Sequence, residues 1–145
     1  MTEESFDRER ILNAYHTVAI VGLSPDAAKP SNRVGRYLVK HGYNVIPVNP
    51  QAPEILGKKS YADLSAIPET VEVVDIFRAS DKVAPVVDEA IKIKAKVVWM
   101  QEGVINEAAA AKARAAGLMV VMDRCMRKEH IRLIHGQDPE KVEDE

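Results

Sequence analysis

The stretch VAIVGLSPDAAKPSNRVGRYLVKHGYNVIPVNP, residues 18–50, decides the fold. An apolar run ends at Gly22, and a loop rich in serine, proline and basic residues follows it. A helical pattern then leads to a second apolar run over residues 45–48. The order strand, loop, helix, strand is typical of the first unit of a nucleotide-binding, Rossmann-like domain. Because the loop lacks the pattern G-x-G-x-x-G, it points away from ordinary NAD chemistry.

Strands and helices alternate on both sides of this segment. Apolar, β-branched runs predict strands over residues 17–21, 44–48, 71–77, 96–100 and 118–122. Helical spacing and capping residues predict helices over residues 5–15, 31–42, 106–116 and 126–133, and one that begins near residue 80. The turn-rich stretch 49–68 is expected to hold a short helical turn near residues 62–66.

This alternation predicts the fold class, because strands separated by helices form a parallel sheet covered on both faces. We expect an α/β fold, a Rossmann-like, doubly wound parallel sheet of five strands. It forms a single domain over residues 1–136, and an acidic, flexible tail covers residues 137–145. We expect the strand order 3-2-1-4-5, which places a ligand between strands one and four.

Composition bounds the classes of partner and the compartment. The chain has 145 residues, 46% of them hydrophobic, and a net charge of −2, which favours neither nucleic acid nor an anionic membrane as partner. A single cysteine excludes an internal disulfide and fits a reducing compartment. No apolar run approaches the roughly 20 residues that span a bilayer, and the polar start does not resemble a signal peptide. We expect a cytoplasmic protein.

The loop after the first strand carries the groups that bind phosphate. Gly22 lets the backbone approach an anion, and the following helix offers free N–H groups at its positive end. Polar and cationic side chains are present in this loop at Ser24, Lys29, Ser31, Asn32 and Arg33, and hydroxyl and cationic groups bind phosphate oxygens. The alternative is that Gly22 only makes the turn and that the polar side chains are solvated.

The end of the second strand indicates which nucleotide is bound. An NAD site usually has an acidic residue there for the ribose hydroxyl groups, whereas this chain has Asn49 and Pro50, followed by Lys58 and Lys59. The absence of the acidic residue and the presence of the two lysines favour a ligand whose ribose carries an extra phosphate, as in NADP and coenzyme A. The alternative is that the prolines only determine the conformation of the loop and that its lysines are solvated.

Later strand ends contribute further candidates. Phe77 packs either on the ligand or in the core, and Arg78 is placed for a ligand or a helix-capping contact. Gln101 lies where a polar side chain can reach the ligand, whereas Trp99 is expected in the core. Cys125, which follows the last strand, is either a reactive thiol or a partly buried, inert one.

No catalytic or metal-binding constellation is predicted. The four histidines, His16, His41, His130 and His135, are scattered and lack metal-ligand spacing. Patterns such as G-x-S-x-G, H-E-x-x-H and C-x-x-C do not occur. We therefore expect a binding protein without evident catalytic activity.

Several segments in order resemble one family. They are VAIVGLSPDAAKPSNRVGRYL, NVIPVNP, ILGKKSYADLSAIP over residues 55–68, VDIFR, VWMQEGV and MDRCM. The sequence resembles the single-domain CoA-binding proteins, which are relatives of the CoA-binding domain of the succinyl-CoA synthetase α-subunit. The resemblance covers about residues 8–130. We do not expect the resemblance to extend to ligase activity, because it does not include the synthetase domain with the phosphorylated histidine.

The resemblance implies a Rossmann-like fold and bound coenzyme A, as free CoA or as an acyl-CoA. The expected ligand contacts are Gly22, Leu23, Ser24, Lys29, Ser31, Arg33, Val34, Asn49, Pro50, Phe77, Arg78 and Gln101. Two alternatives stay open at this point: a small NADP-dependent oxidoreductase, and an interaction subunit whose Rossmann-like fold has lost its ligand. No nucleic acid, membrane or metal is expected as a partner.

Overall fold

Five parallel strands form the central sheet of the computed structural model, which describes residues 3–143. The strands are β1 (Thr17–Val21), β2 (Asn44–Val48), β5 (Val73–Ile76), β6 (Val97–Met100) and β7 (Met119–Val121), and β3 (Glu54–Ile55) pairs with β4 (Lys58–Lys59) in a separate antiparallel hairpin. The helices are α1 (Glu3–Ala14), α2 (Pro30–Lys40), α3 (Val83–Lys92), α4 (Glu107–Ala115) and α5 (Met126–Leu133). The α/β, Rossmann-like fold class predicted from sequence is confirmed.

The predicted strand order is wrong in one respect. The sheet has the order β2-β1-β5-β6-β7, so the third long strand lies beside the first instead of beyond the second. The outer edge of β2 is occupied by Tyr61, whose N–H donates to the Pro47 carbonyl at 3.0 Å. Pro47 was the overlooked signal, because a residue without an N–H group belongs on an edge strand.

Alternating side chains divide the core into two faces. Val18 and Ile20 pack with α1, α2 and α5 on what we call the α2–α5 face. Ala19 and Val21 pack with α3 and α4 on the α3–α4 face. The order of the strands reverses between β1 and β5, so the crevice where ligands bind this kind of sheet lies there.

Local details differ from the predicted boundaries for identifiable reasons. Helix α2 begins at Pro30 with Lys29 as its N-cap, because the fixed φ of proline suits the first helical position. The β3–β4 hairpin was missed because its turn uses Leu56 and Gly57, with φ values of 56° and 71°, instead of the usual Asn-Gly.

The C-terminal segment includes a short 3₁₀ helix over Pro139–Lys141, and Pro139 is buried. Residues 1–2 and 144–145 of the expected domain and tail lie outside the described residues. The domain limit and the flexibility of the tail stay predictions. No helix within residues 3–143 combines the length and the apolar character needed to cross a membrane.

Candidate ligand site at the carboxyl edge of the sheet

The turn after β1 brings two strand ends into contact. Gly22 has a φ of +91°, and a Cβ at this position would lie 2.3 Å from the backbone oxygen of Phe77. Its N–H donates to the Val48 carbonyl at 2.9 Å, and the Phe77 N–H donates to the Val21 carbonyl at 2.9 Å. Glycine is therefore required here by close packing against the end of β5, whether or not a phosphate binds above it.

Buried polar side chains shape the loop that follows. The Ser31 hydroxyl accepts from the Ser24 N–H at 3.0 Å, and the Asn32 amide donates to the Ser24 carbonyl at 2.8 Å. Ser31 and Asn32 are both buried. Ser31, predicted as a ligand contact, and Asn32, which the sequence analysis placed among the polar residues of the loop, thus both hold the backbone of Ser24. The side chains of Leu23 and Val34 pack in the core beneath the loop.

The N-terminus of α2 points out of this loop without compensation. Its N-cap, Lys29, is exposed and makes no side-chain cap, and the first turn carries no acidic residue. No acidic side chain of the first turn therefore neutralises the positive end of this 11-residue helix, and Asp26, three residues before the N-cap, accepts from the Ala28 N–H at 2.9 Å. Lys29 and the half-buried Arg33 add cationic side chains at the same end. This arrangement suits an anion.

The Asn49 side chain both donates and accepts a hydrogen bond, which an ionised acidic side chain cannot do. Its side-chain amide donates to the Leu23 carbonyl at 3.0 Å, and its Oδ1 accepts from the Gln51 N–H at 2.8 Å. An aspartate would present two acceptors to the Leu23 carbonyl. The residue that would bind ribose in an NAD site is thus used to connect the ends of β1 and β2. Pro50 beside it is exposed.

The missed hairpin lies over the middle of α2. The Leu56 side chain would be 3.0 Å from a Cβ at Gly35, so the hairpin packs closely on the helix there. Lys58 is half-buried, whereas Lys59 is exposed and lies 5.3 Å from the centre of the Tyr61 ring. The two lysines therefore alternate in direction along β4.

The remaining predicted contacts fall into two groups. Phe77 is half-buried beside Gly22 and Arg78 is exposed, so both lie at the β1–β5 crevice. Gln101 is buried, and its Oε1 accepts from the Met126 N–H at the start of α5 at 3.1 Å. The structure thus brings the first loop, Asn49 and Phe77 together and assigns Gln101 a helix-capping bond.

Two titratable groups with raised pKa values are the buried Asp75 of β5 and the half-buried Cys125, which follows β7. Burial raises the pKa of the Cys125 thiol, so the neighbouring basic residues do not make it a ready thiolate. Asp75, in the middle of β5, is fully buried and neither carboxylate oxygen has a hydrogen-bond partner. Burial raises its pKa well above the usual range, and its charge raises that of Cys125 further. Sequence patterning offered one signal, an acid inside a β-branched run. Trp99 is buried, as predicted.

A groove of about 460 Å³ lies elsewhere, between α1 and the free edge of β7. None of the predicted ligand contacts lines it. Three of its four arginines are engaged in ion pairs, Arg8 and Arg124 with Glu129 and Arg10 with Asp7. The chemistry of the chain therefore favours the β1–β5 crevice over this groove.

The order of the strands, the tight turn at Gly22 and the uncapped N-terminus of α2 together define an α/β protein of the Rossmann-like class. Residues 16–131 match the CoA binding domain family, and the chain belongs to that family. This confirms the resemblance seen in the sequence.

Three relatives illustrate the range of the similarity. The uncharacterised protein YneT of Bacillus subtilis (strain 168) is 34% identical over 122 residues, which cover 84% of this chain and 90% of YneT. A hypothetical protein from Pyrococcus horikoshii OT3 is 44% identical with a TM-score of 0.88, covering 92% of this chain and 93% of its own. The dinucleotide-forming acetyl-coenzyme A synthetase 1 of Ca. Korarchaeum cryptofilum is 28% identical with a TM-score of 0.68, over 79% of this chain and 27% of the synthetase chain.

Proposed function

We propose that this chain binds coenzyme A, free or acylated, in the crevice between β1 and β5. The observation that carries the proposal is the N-terminus of α2, which has neither a side-chain cap nor an acid in its first turn. Membership of the CoA binding domain family supports the same ligand class.

The phosphates take the positive end of the helix. Pro30 has no N–H, and the Asn32 and Arg33 N–H groups donate to the Lys29 carbonyl at 3.1 and 3.2 Å. The phosphates are therefore attracted by the helix dipole and the Ser31 N–H, and the Lys29 and Arg33 side chains add charge-assisted hydrogen bonds. Phe77 and Pro50 flank the crevice with apolar surface for the adenine and the pantetheine arm. Binding by these groups requires no catalytic residue.

The neighbourhood of Asn49 favours CoA and NADP over NAD. Position 49 has an amide, which donates to the Leu23 carbonyl, in place of the carboxylate that accepts from ribose hydroxyls in an NAD site. Lys58 and Lys59 follow on the hairpin and suit an additional ribose phosphate. An NADP-dependent oxidoreductase is the rival outcome of the first experiment.

The first experiment compares ligands by thermal shift with CoA, acetyl-CoA, dephospho-CoA, NADP and NAD. We expect CoA or acetyl-CoA to stabilise the fold most and NAD not to stabilise it. A ligand at 100 times its dissociation constant adds about 2.7 kcal/mol of stability. Equal shifts for CoA and NAD, or none for any nucleotide, would contradict the proposal, and a larger shift with NADP would favour the oxidoreductase.

The second experiment places the phosphates. Lys29→Ala and Arg33→Ala should each weaken CoA by about 1.5–3 kcal/mol, measured by calorimetry. Lys92→Ala, an exposed lysine at the C-terminus of α3, is the matched control and should leave affinity unchanged. If Arg33 contacts the 3′-phosphate, its variant loses more affinity for CoA than for dephospho-CoA. Equal effects of Lys29→Ala and Lys92→Ala would remove the N-terminus of α2 from the site.

A further inference from the structure

Three histidines that are distant in sequence converge at the other end of α2. His41 is the C-cap of α2, His130 lies in α5, and His135 follows the end of α5. Their backbones are anchored, since the His41 N–H donates to the Tyr37 carbonyl at 3.1 Å and the His135 N–H to the His130 carbonyl at 3.3 Å. Sequence spacing missed the group because 89 residues separate its first two members.

The three rings form a nearly equilateral triangle. The ring centroids of His41 and His130 are 5.3 Å apart, those of His41 and His135 are 5.3 Å apart, and those of His130 and His135 are 5.1 Å apart. One ligand nitrogen from each ring lies within 4.8 Å of the other two. Nitrogens bound tetrahedrally to zinc at about 2.0–2.1 Å lie about 3.3 Å apart. Small ring rotations therefore suffice to close the site.

A second observation orients the buried ligand. His130 Nδ1 is 2.7 Å from the Tyr37 hydroxyl. With the proton assigned to Nδ1, this ring donates to Tyr37 and keeps the lone pair of Nε2 for a metal. Metal-binding histidines usually donate their second N–H to such a partner, which fixes the tautomer and the direction of the ring. Tyr37 is itself buried, so the orientation is held by the core.

From this geometry we propose that His41, His130 and His135 bind one divalent transition-metal ion of the zinc type. Imidazole ligands suit zinc, copper and nickel, whereas magnesium and calcium prefer oxygen. His130 is buried, His41 half-buried and His135 exposed, so the fourth coordination position faces water.

The site lies at the opposite end of the sheet from the proposed CoA crevice. Helix α2 leaves the carboxyl end of β1 and returns to the amino end of β2, so His41 lies at the amino edge. A metal there connects the C-terminus of α2 to the C-terminal half of α5. We expect it to stabilise the packing of these helices without contacting CoA.

The test uses untagged, chelator-treated protein and adds zinc chloride. We expect one zinc ion per chain by calorimetry and a higher melting temperature. Cobalt chloride in place of zinc should produce the visible absorption of a tetrahedral site. Absence of a one-to-one complex in the wild type would overturn the proposal.

Histidine variants assign the ligands. His135→Gln and His41→Gln should each weaken zinc at least about tenfold, since even outer-shell changes cost 10–100-fold. His16→Gln is the matched control, because His16 is exposed, contacts the Tyr43 ring at 5.1 Å and is not a member of the triangle. Unchanged affinity in His135→Gln, or an equal loss in His16→Gln, would overturn the proposal. Because His135 is exposed, we expect His135→Gln to fold, and its zinc affinity tests the proposal even if His41→Gln does not fold.

Discussion

The two faces of the sheet differ in what they bury. The α3–α4 face is a continuous apolar cluster that runs from Leu64 through Val87 to Ala113. The buried polar and charged side chains found within residues 3–143 all belong to the other side: Ser31, Asn32, Asp75, Gln101, Arg127, Glu129 and His130. Asp75 lies there because it alternates with Val74 and Ile76, which face α3 and α4.

The difference separates stability from chemistry. Apolar packing on the α3–α4 face stabilises the fold through burial alone. On the α2–α5 face, each buried polar group needs a hydrogen-bond partner. A buried polar group without a partner costs stability, whereas a paired one fixes the geometry of its surroundings. The loop at Gly22, the cap of α5 and the histidine triangle are all built from that side.

The largest effect is expected from breaking the buried ion cluster of the α2–α5 face. Glu129 has 3% of its side chain exposed and faces Arg8 at 3.5 Å and Arg132 at 3.2 Å. Glu129→Ala should lower the free energy of unfolding by about 3–5 kcal/mol, because the largely buried guanidinium of Arg8 loses its partner. Denaturant unfolding measures this. The control is Asp7→Ala in the exposed Arg10–Asp7 pair, which should cost less than about 1 kcal/mol. Similar losses in both variants would contradict the difference between buried and exposed pairs.

A truncation on the α3–α4 face tests whether that face serves stability alone. Leu64 is fully buried there. Leu64→Ala should cost about 2–5 kcal/mol through lost burial and a cavity, and the CoA dissociation constant at a temperature where the variant is folded should not change. Calorimetry beside denaturant unfolding gives both quantities. A loss of CoA affinity comparable to that of Lys29→Ala would break the comparison between the faces.

Asp75 should make stability depend on pH. Burial raises its pKa in the folded state, so the unfolded chain releases this proton at lower pH than the folded chain does. The ionisation of Asp75 therefore does not affect the free energy of unfolding below about pH 4. The free energy of unfolding falls as pH rises from there towards the pKa of Asp75 in the folded state.

Substitution of Asp75 provides the measurement. Asp75→Val should stabilise the protein by roughly 1–3 kcal/mol at pH 4, since an unpartnered buried polar group is removed, and by more at pH 7, where the unfolded wild-type chain also gains from ionising Asp75. Asp75→Asn keeps the shape and should flatten the dependence on pH. Unfolding curves from pH 4 to pH 8 compare these variants with the wild type. A gain from Asp75→Val that is as large at pH 4 as at pH 7 would mean that ionisation is not the cause.

The smallest effect is expected at Cys125. Because burial raises the pKa of its thiol, we expect slow formation of a mixed disulfide with CoA disulfide at neutral pH, and faster formation as pH rises. Intact-mass analysis follows the adduct, and Cys125→Ser is the control. Rapid labelling at pH 7 would show that the thiol is more accessible and more acidic than its packing indicates. Its closeness to the thiol end of CoA stays a prediction.

Local patterns were sufficient for much of the fold. Strands β1 and β2 and helix α5 begin and end where the sequence predicts, because apolar runs and capping residues act over a few residues. The order of the strands was not recovered, since it depends on contacts such as Tyr61 on the edge of β2. The β3–β4 hairpin was missed for a local reason, its uncommon Leu-Gly turn.

By itself, the sequence determined the class of sheet, the position of the loop proposed to bind an anion, and the family, because these depend on residues adjacent in the chain. Only the tertiary structure decided which face each polar group joins. It placed Asn49 against the Leu23 carbonyl, buried Asp75 without a partner, and brought His41 to His130 across 89 residues. Such contacts form when helices pack on a common sheet, and no periodicity along the chain encodes them.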